Sequence, residues 1–197
     1  MKYRILNIKS LTESEFELAF KQMSKERQEK CLRYKFADDR RRMAFGESLL
    51  RKLISDEYDV REEDVIIKNL PSGKPVAEVQ GKNLCVSITH SGDYVACGVS
   101  DTPIGVDLEV MRQVSPLLLT KALNEEERAF VSNSEDENLS FLKLWTAKEA
   151  YLKLTGEGLG GLKKACVLPL VQMKEYKNLV LTELFTEDYV FTAIYER

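Results

Sequence analysis

Two segments of the chain place charged side chains among apolar residues. Gly105-Val-Asp-Leu-Glu109 has two carboxylates two residues apart, and Trp145-Thr-Ala-Lys-Glu-Ala-Tyr-Leu-Lys153 has a carboxylate and an ammonium four residues apart. Because isolated buried charges are strongly unfavourable, we expect these groups to neutralise one another or a bound ligand. Magnesium usually binds one or two carboxylates together with water and phosphate oxygens. The two segments therefore predict a site for a divalent cation and a phosphorylated ligand.

The first segment lies in a predicted β-strand, Ile104–Val110, that is largely buried because hydrophobic residues flank both acids. Residues two apart in a strand project to the same face, so Asp107 and Glu109 are expected to point together. A hard cation would relieve their repulsion. The alternative is a strand end whose acids reach solvent or cap a helix.

The second segment lies in a predicted helix, Glu137–Thr155, that ends at Gly156. Glu149 and Lys153 are one helical turn apart, whereas Lys148 falls among apolar residues, so the charges form no clean polar face. Charged groups that interrupt an apolar surface favour a cleft with shifted ionisation. The alternative for Glu149 and Lys153 is a surface ion pair, which stabilises by about 0.3–0.5 kcal/mol.

The remaining elements repeat one order twice. A strand (Lys2–Ile8), helices that end with Ala37–Ser55 and four short strands are followed by a second series of strand, helices and strands. The second series opens with the strand Ile104–Val110, and its closing strands are predicted at Cys166–Leu170, Leu179–Phe185 and Val190–Tyr195. This order predicts an α+β protein with two similar halves.

Charge and composition exclude several classes of protein. The net charge is −3, yet eleven basic and five acidic residues lie between Lys21 and Lys52. A uniformly basic nucleic-acid binder would differ from this, and a local basic patch suits a compact polyanion. The single histidine and scattered cysteines argue against zinc. Since neither a signal peptide nor a membrane-spanning run is recognisable, we expect a cytoplasmic location and no membrane partner.

Two predicted turns carry polar groups that suit phosphate binding. Thr89-His-Ser-Gly92 follows a strand and presents hydroxyls and an imidazole, and loops of this kind commonly hold sites. Gly73-Lys-Pro75 is too short for a phosphate loop of the Gly-x-x-x-x-Gly-Lys type. A structural histidine and a simple turn are the respective alternatives.

Together these segments resemble the 4'-phosphopantetheinyl transferases, in particular the larger Sfp type. That family is marked by a Gly-[Ile/Val]-Asp-x-Glu strand and, further along the chain, a Trp-x-x-Lys-Glu-[Ala/Ser]-x-x-Lys helix. Both patterns are present here at 105–109 and 145–153, after the Gly-Lys-Pro turn and the Thr-His-Ser-Gly turn. Thr89 stands where the family commonly has serine, and the hydroxyl is kept.

The resemblance implies two pseudo-symmetric α+β halves with the active site in the cleft between them. The half 1–102 would be basic and bind coenzyme A, and 103–197 would carry the magnesium and the catalytic residues. The reaction would transfer 4'-phosphopantetheine from coenzyme A to a serine of an apo acyl or peptidyl carrier protein and release adenosine 3',5'-bisphosphate. We expect a monomer without a nucleic-acid partner.

The resemblance also implies roles for single residues. Asp107, Glu109 and Glu149 would hold one Mg²⁺, and Glu149 or Glu109 would take the serine proton. Lys153 would stabilise the phosphates and the leaving group. The residues expected to contact coenzyme A are Lys30, Arg33, Gly73, Lys74, Pro75, Thr89, His90, Lys148 and Lys153.

Two other functions are compatible with the same residues. A magnesium-dependent hydrolase of nucleotide pyrophosphates would use the carboxylates equally well. A non-catalytic module that binds carriers or coenzyme A would not need all of Asp107, Glu109, Glu149 and Lys153.

Overall fold

The computed structural model describes residues 1–71 and 73–197, which form two compact units, Met1–Asp101 and Thr102–Arg197. Each unit contains helices and one antiparallel sheet. The predicted α+β class with two halves is confirmed. The functions predicted for the halves, and a site between them, stay predictions. Among the described residues, none of the helices is long and apolar enough to cross a membrane.

The N-terminal half builds a five-stranded sheet in the order β1-β5-β4-β3-β2, with a long helix packed on β1, β4 and β5. Its elements in chain order are β1 (Lys2–Asn7), α1 (Glu13–Gln22), α2 (Lys25–Leu32), α3 (Ala37–Tyr58), β2 (Ile66–Asn69), β3 (Pro75–Val79), β4 (Lys82–Ser91) and β5 (Tyr94–Ser100).

Short polar residues set the beginnings of the first two helices. The Thr12 side chain accepts from the backbone N–H of Glu15, whose carboxylate accepts from the backbone N–H of Thr12, so the two residues form a capping box. Ser24 caps α2 by accepting from the backbone N–H of Arg27. The cap at Ser24 therefore begins a second helix, α2, shortly after the end of α1.

A buried ion-pair network binds α2 to α3. Glu47 of α3 is fully buried and accepts from Arg27 of α2 and, at 2.9 Å, from Arg51 one turn along its own helix. Arg27 also donates to the side-chain oxygen of Asn69, and Arg51 to the backbone oxygen of Val65. A charge this deep is tolerated because each oxygen has a cationic partner.

The C-terminal half builds a four-stranded sheet in the order β6-β9-β8-β7. Its elements in chain order are β6 (Ile104–Val110), α4 (Pro116–Ala122), α5 (Glu125–Ser132), α6 (Glu137–Thr155), α7 (Leu168–Met173), β7 (Glu175–Tyr176), β8 (Leu179–Phe185) and β9 (Tyr189–Glu196). As predicted, α6 ends at Gly156, which has a left-handed φ of 80°.

The predicted strand Cys166–Leu170 is wrong, because its last residues begin helix α7. A five-residue apolar run has no period that separates a strand from a buried helical turn. Pro169 fits the first turn of a helix, where the missing N–H has no intrahelical acceptor. Leu170 and Val171 bury themselves on that turn.

The two halves share one plan. In each, the first strand pairs antiparallel with the last strand, β1 with β5 and β6 with β9. The third helix of each half, α3 or α6, is the longest in that half and packs on this strand pair. Positions on β6 and α6 are therefore brought together by the core packing of the C-terminal half alone.

Candidate active site

Asp107 lies in the middle of β6, paired in register with Thr192 of β9, and is only 5% exposed. Lys153, in the last turn of α6, places its Nζ atom 2.6 Å from Oδ1 of Asp107. The lysine side chain keeps 31% of its surface exposed. A buried carboxylate and a partly exposed ammonium therefore meet where the strand and the helix face each other.

Gly105 explains why the strand can approach the helix so closely. A Cβ atom at this position would lie 1.9 Å from the backbone oxygen of Ala150 and 2.6 Å from the backbone nitrogen of Leu154. No side chain fits between the two backbones, so β6 packs directly on α6. This close contact brings Asp107 within hydrogen-bonding distance of Lys153.

Glu149 is half-buried one turn before Lys153 on α6. Burial raises its pKa, and so does the carboxylate of Asp107; Lys153 opposes them, Glu109 adds to them, and the pKa is about 7. The three acids therefore act on one another electrostatically, although they come from a strand and a helix. A cation bound near Glu149 would favour its ionised form.

Glu109 is held by contacts on both of its oxygens. The indole Nε1–H of Trp145 donates to Oε1 at 3.2 Å, and the guanidinium of Arg112 is 3.6 Å from Oε2. Trp145 itself stacks on Phe141, with ring centroids 6.0 Å apart. The motif tryptophan thus orients a motif carboxylate.

The donor chemistry of these acids suits magnesium. Asp107, Glu109 and Glu149 offer hard oxygen atoms, and the raised pKa of Glu149 reflects its burial first and then the charge of Asp107, which Lys153 only partly offsets. Within the part of the chain that the structure describes, no three acidic, histidine or cysteine side chains already form a metal-binding group.

Lys148 was predicted to contact coenzyme A, and its surroundings contradict that prediction. Its side chain is fully buried, and its Nζ atom lies 2.8 Å from Glu127, 2.7 Å from the backbone oxygen of Leu162 and 3.0 Å from that of Ala165. An ammonium has three N–H donors, and all three are used inside the C-terminal half. Lys148 therefore has no donor left for a phosphate.

In the N-terminal half, the two predicted turns lie at the same end of the sheet. Strand β4 pairs with β3 from Val79 to Val76 and then continues to Ser91, past the start of β3. Thr89 and His90 belong to this extension rather than to a turn, with Thr89 buried and His90 exposed. Lys74 precedes β3, and burial lowers its pKa.

The basic residues of α2 and α3 differ in whether they are exposed or already bound within the protein. Lys30 and Arg33 are exposed at the end of α2, as a ligand contact requires. Arg42 donates through Nε to the backbone oxygen of Gly92 at 2.8 Å, in the turn that follows His90. Its guanidinium lines a pocket of about 190 Å³ together with Lys9, Asp38, Arg41, Gly92 and Asp93.

Comparison with known proteins finds one family over both halves. The family model "4'-phosphopantetheinyl transferase, N-terminal" matches residues 10–101, and the model of the "4'-phosphopantetheinyl transferase superfamily" matches residues 103–192. The 4'-phosphopantetheinyl transferase ffp of Bacillus subtilis is 30% identical over 159 residues, which cover 80% of this chain and 70% of that protein. The chain belongs to the 4'-phosphopantetheinyl transferase superfamily.

Other relatives support the same membership. The 4'-phosphopantetheinyl transferase Sfp of Bacillus subtilis strain 168 is 29% identical over 160 residues, 80% of this chain and 70% of Sfp. The 4'-phosphopantetheinyl transferase psf-1 of Bacillus pumilus is 33% identical over 129 residues, 64% of this chain and 55% of psf-1. The chain thus spans just over half the length of psf-1. The Sfp-type resemblance predicted from the sequence is confirmed.

Three residues of this transferase-family chain acquire roles that the sequence did not assign. Gly105 and Trp145 belong to the two motifs, but the sequence did not show that one allows close packing of β6 on α6 and the other binds Glu109. Glu127, the partner of Lys148, carried only the signature of a capping box with Asn124. Nothing in the spacing of Glu127 and Lys148 along the chain indicates that they pair.

Proposed function

We propose that the protein is a magnesium-dependent 4'-phosphopantetheinyl transferase. It moves 4'-phosphopantetheine from coenzyme A to a serine of an apo acyl or peptidyl carrier protein and releases adenosine 3',5'-bisphosphate. The observation that carries the proposal is the cluster of Asp107, Glu109, Glu149 and Lys153, in which a carboxyl has a pKa of about 7 beside a buried carboxylate. The names of the relatives support the class of reaction.

The substrate pyrophosphate is a dianion that must be held while its β-phosphorus is attacked. Asp107, Glu109 and Glu149 would hold Mg²⁺, which when bound supplies positive charge to the phosphate oxygens. Lys153 adds a second positive charge, because its ammonium is partly exposed and already lies in the cluster. Fixed charges aimed at developing negative charge stabilise the transition state more than the ground state.

Glu149 is the proposed general base. Without a bound metal, burial and then the carboxylate of Asp107 raise its pKa to about 7, and a cation bound nearby would favour the ionised form that accepts a proton. Glu149 takes the proton of the carrier serine, directly or through one water, as the serine oxygen attacks. Glu109 is less suited, since the Trp145 indole and the Arg112 guanidinium already bind its two oxygens.

The N-terminal half supplies the proposed contacts to the nucleotide part of coenzyme A. Thr89, His90 and Lys74 share one end of the sheet, where hydroxyl, imidazole and ammonium groups suit phosphate oxygens. Gly73 and Pro75 shape the turn that holds Lys74, and Gly73 has a left-handed φ of 85°. Lys30 and Arg33 are exposed cations for the 3'-phosphate region.

A direct test incubates the protein with coenzyme A, Mg²⁺ and a panel of apo acyl and peptidyl carriers. Intact-mass spectrometry should show one phosphopantetheine added to at least one carrier, and none when its acceptor serine is replaced by alanine. Omission of Mg²⁺ should remove the gain.

Two outcomes would contradict the proposal. Release of adenosine 3',5'-bisphosphate without a change in carrier mass would indicate a nucleotide pyrophosphate hydrolase. Binding of coenzyme A with no turnover on any carrier would indicate a non-catalytic binding module.

A further inference from the structure

The C-terminal half contains an ion pair that lies outside the carboxylate cluster. Glu127 of α5 and Lys148 of α6 are both 0% exposed, with Nζ 2.8 Å from Oε2. Breaking such a pair is costly, but replacing both partners with neutral groups is often harmless to stability. The pair is therefore poorly explained by stability alone, and its neighbours suggest another purpose.

Lys148 also binds the chain that follows the glycine-rich segment. Residues 156–161, which follow α6, contain four glycines. The residues after them are bound back to α6, because Nζ of Lys148 donates to the backbone oxygens of Leu162 and Ala165. One ammonium thus joins α5, α6 and the segment 162–165. Between the two bound carbonyls, the side chains of Lys163 and Lys164 are exposed.

Lys148 directly precedes Glu149 on the helix. Because consecutive helical residues are about 100° apart, Lys148 points into the interior while Glu149 is half-buried on the adjacent side of the helix. A rotation or shift of this turn would break three short contacts of Lys148 at once. Glu127 is fixed in its turn, since its Oε2 atom accepts from the backbone N–H of Asn124 at 2.9 Å.

We propose that Glu127 and Lys148 are positioning residues for the transfer reaction, a role that rests on the proposed function. They hold the helical turn that carries Glu149 and bind the end of the glycine-rich segment to that turn. Neither residue touches the substrate. Glu127 Oε1 is buried without a hydrogen-bond partner, so the protein keeps a charge here at some cost to stability.

Three variants separate positioning from stability. Lys148→Met removes the ammonium and keeps a long apolar side chain, and Glu127→Gln keeps a side-chain acceptor for the capping box. The double variant Glu127→Gln/Lys148→Met has no buried charge at this position. Lys143→Met is the matched control, because it removes an ion-paired lysine from the same helix, 2.8 Å from Glu183, and leaves segment 162–165 untouched.

Two measurements are made on each variant besides thermal unfolding. Limited trypsin cleavage after Lys163 and Lys164, followed by mass spectrometry, reports local opening of the segment. Steady-state kinetics with a carrier and coenzyme A give kcat and KM separately. Lys148→Met should be cleaved there several-fold faster than wild type, and its kcat should fall about 10- to 100-fold with KM for the carrier nearly unchanged.

The double variant decides the matter. Its Tm should return towards the wild-type value, while rapid cleavage at 163–164 and the low kcat persist, because the two carbonyls still lack their donor. If cleavage protection and kcat recover together with Tm, the pair is only structural and the proposal is overturned. Wild-type cleavage rates in Lys148→Met would overturn it as well.

Failure of the proposed function remains distinguishable from failure of this inference. A wild-type protein that modifies no carrier refutes the transferase, and trypsin cleavage alone then decides whether Lys148 holds the segment.

Discussion

Lys153 and Asp107 form an ion pair between helix α6 and strand β6, with Nζ 2.6 Å from Oδ1. The pair joins the two sequence motifs through one contact in the interior of a single half. It also places Lys153, which lowers the pKa of Glu149, next to Asp107, the carboxylate that raises that pKa most.

Replacing Lys153 with methionine should lower kcat about 100- to 1,000-fold, because a positive charge near the reacting phosphates is lost. The fold should persist with some loss of stability, because the lysine is partly exposed but the buried Asp107 loses its ammonium contact. Kinetics with a saturating carrier, together with circular dichroism, test this. An unchanged kcat would remove Lys153 from the catalytic groups.

The ionisation of Glu149 predicts how stability depends on pH. Its pKa is about 7 in the folded protein against an ordinary value of 4.5, so the unfolded chain gives up this proton first as pH rises. The free energy of unfolding should therefore fall between about pH 4.5 and 7, by on the order of 1–2 kcal/mol after allowance for solvent screening. Urea unfolding at several pH values measures the effect.

Glu149→Gln is the control for this pH dependence. The variant has no group to ionise, so its stability should lack that fall, and the difference between the two proteins should be largest above pH 7. Parallel curves for wild type and variant would contradict the assignment.

Gly105→Ala should destabilise the C-terminal half by about 1–3 kcal/mol or more, which is the typical cost of overpacking a core. The new Cβ would overlap the backbone oxygen of Ala150, and backbone cannot move aside as a side chain can. Gly160→Ala is the matched control, since nothing lies within 4 Å of its added Cβ. Equal unfolding midpoints for the two variants would show that β6 and α6 do not pack this closely.

Trp145→Phe should keep the stacking on Phe141 and lose the N–H donated to Glu109. Because orienting partners of a ligand commonly contribute about 10-fold or more, the Mg²⁺ concentration for half-maximal activity should rise about that much. A magnesium titration of the initial rate gives the value. An unchanged requirement would mean that the indole only packs.

Glu47→Ala should cost about 3–5 kcal/mol, because Arg27 and Arg51 would be left as buried charges without their carboxylate. Glu63→Ala, at an ion pair whose glutamate side chain is 69% exposed, should change stability by less than about 1 kcal/mol. Chemical denaturation of both variants compares a buried pair with an exposed one.

The elements that could be predicted from the sequence were those with local signals, such as residue periodicity and helix-terminating residues. β6 and α6 lie where the sequence predicted them, because the alternation of β6 and the terminal Gly156 of α6 are strong local signals. The spacing of Asp107 and Glu109, and of Glu149 and Lys153, likewise follows from strand and helix geometry.

Contacts between distant residues were not predictable in this way. Lys148 looked like a ligand because it belongs to a charged motif, and only its pairing with Glu127 shows that it faces inward. The helix Leu168–Met173 overlaps a predicted strand, because so short an apolar run has no periodicity that distinguishes a strand from a buried helical turn. The relation of the site to both halves stays a prediction of the family resemblance.

The buried ion pairs have opposite polarity in the two halves. The short helix carries the cation in one, Arg27, and the anion in the other, Glu127, while Glu47 and Lys148 occupy the long helices. During folding, an exchange of short helices between such similar halves would press Arg27 against Lys148 and Glu127 against Glu47. Because like charges in an apolar interior repel strongly, such an exchange would be disfavoured relative to the native pairing of each short helix with its own long helix.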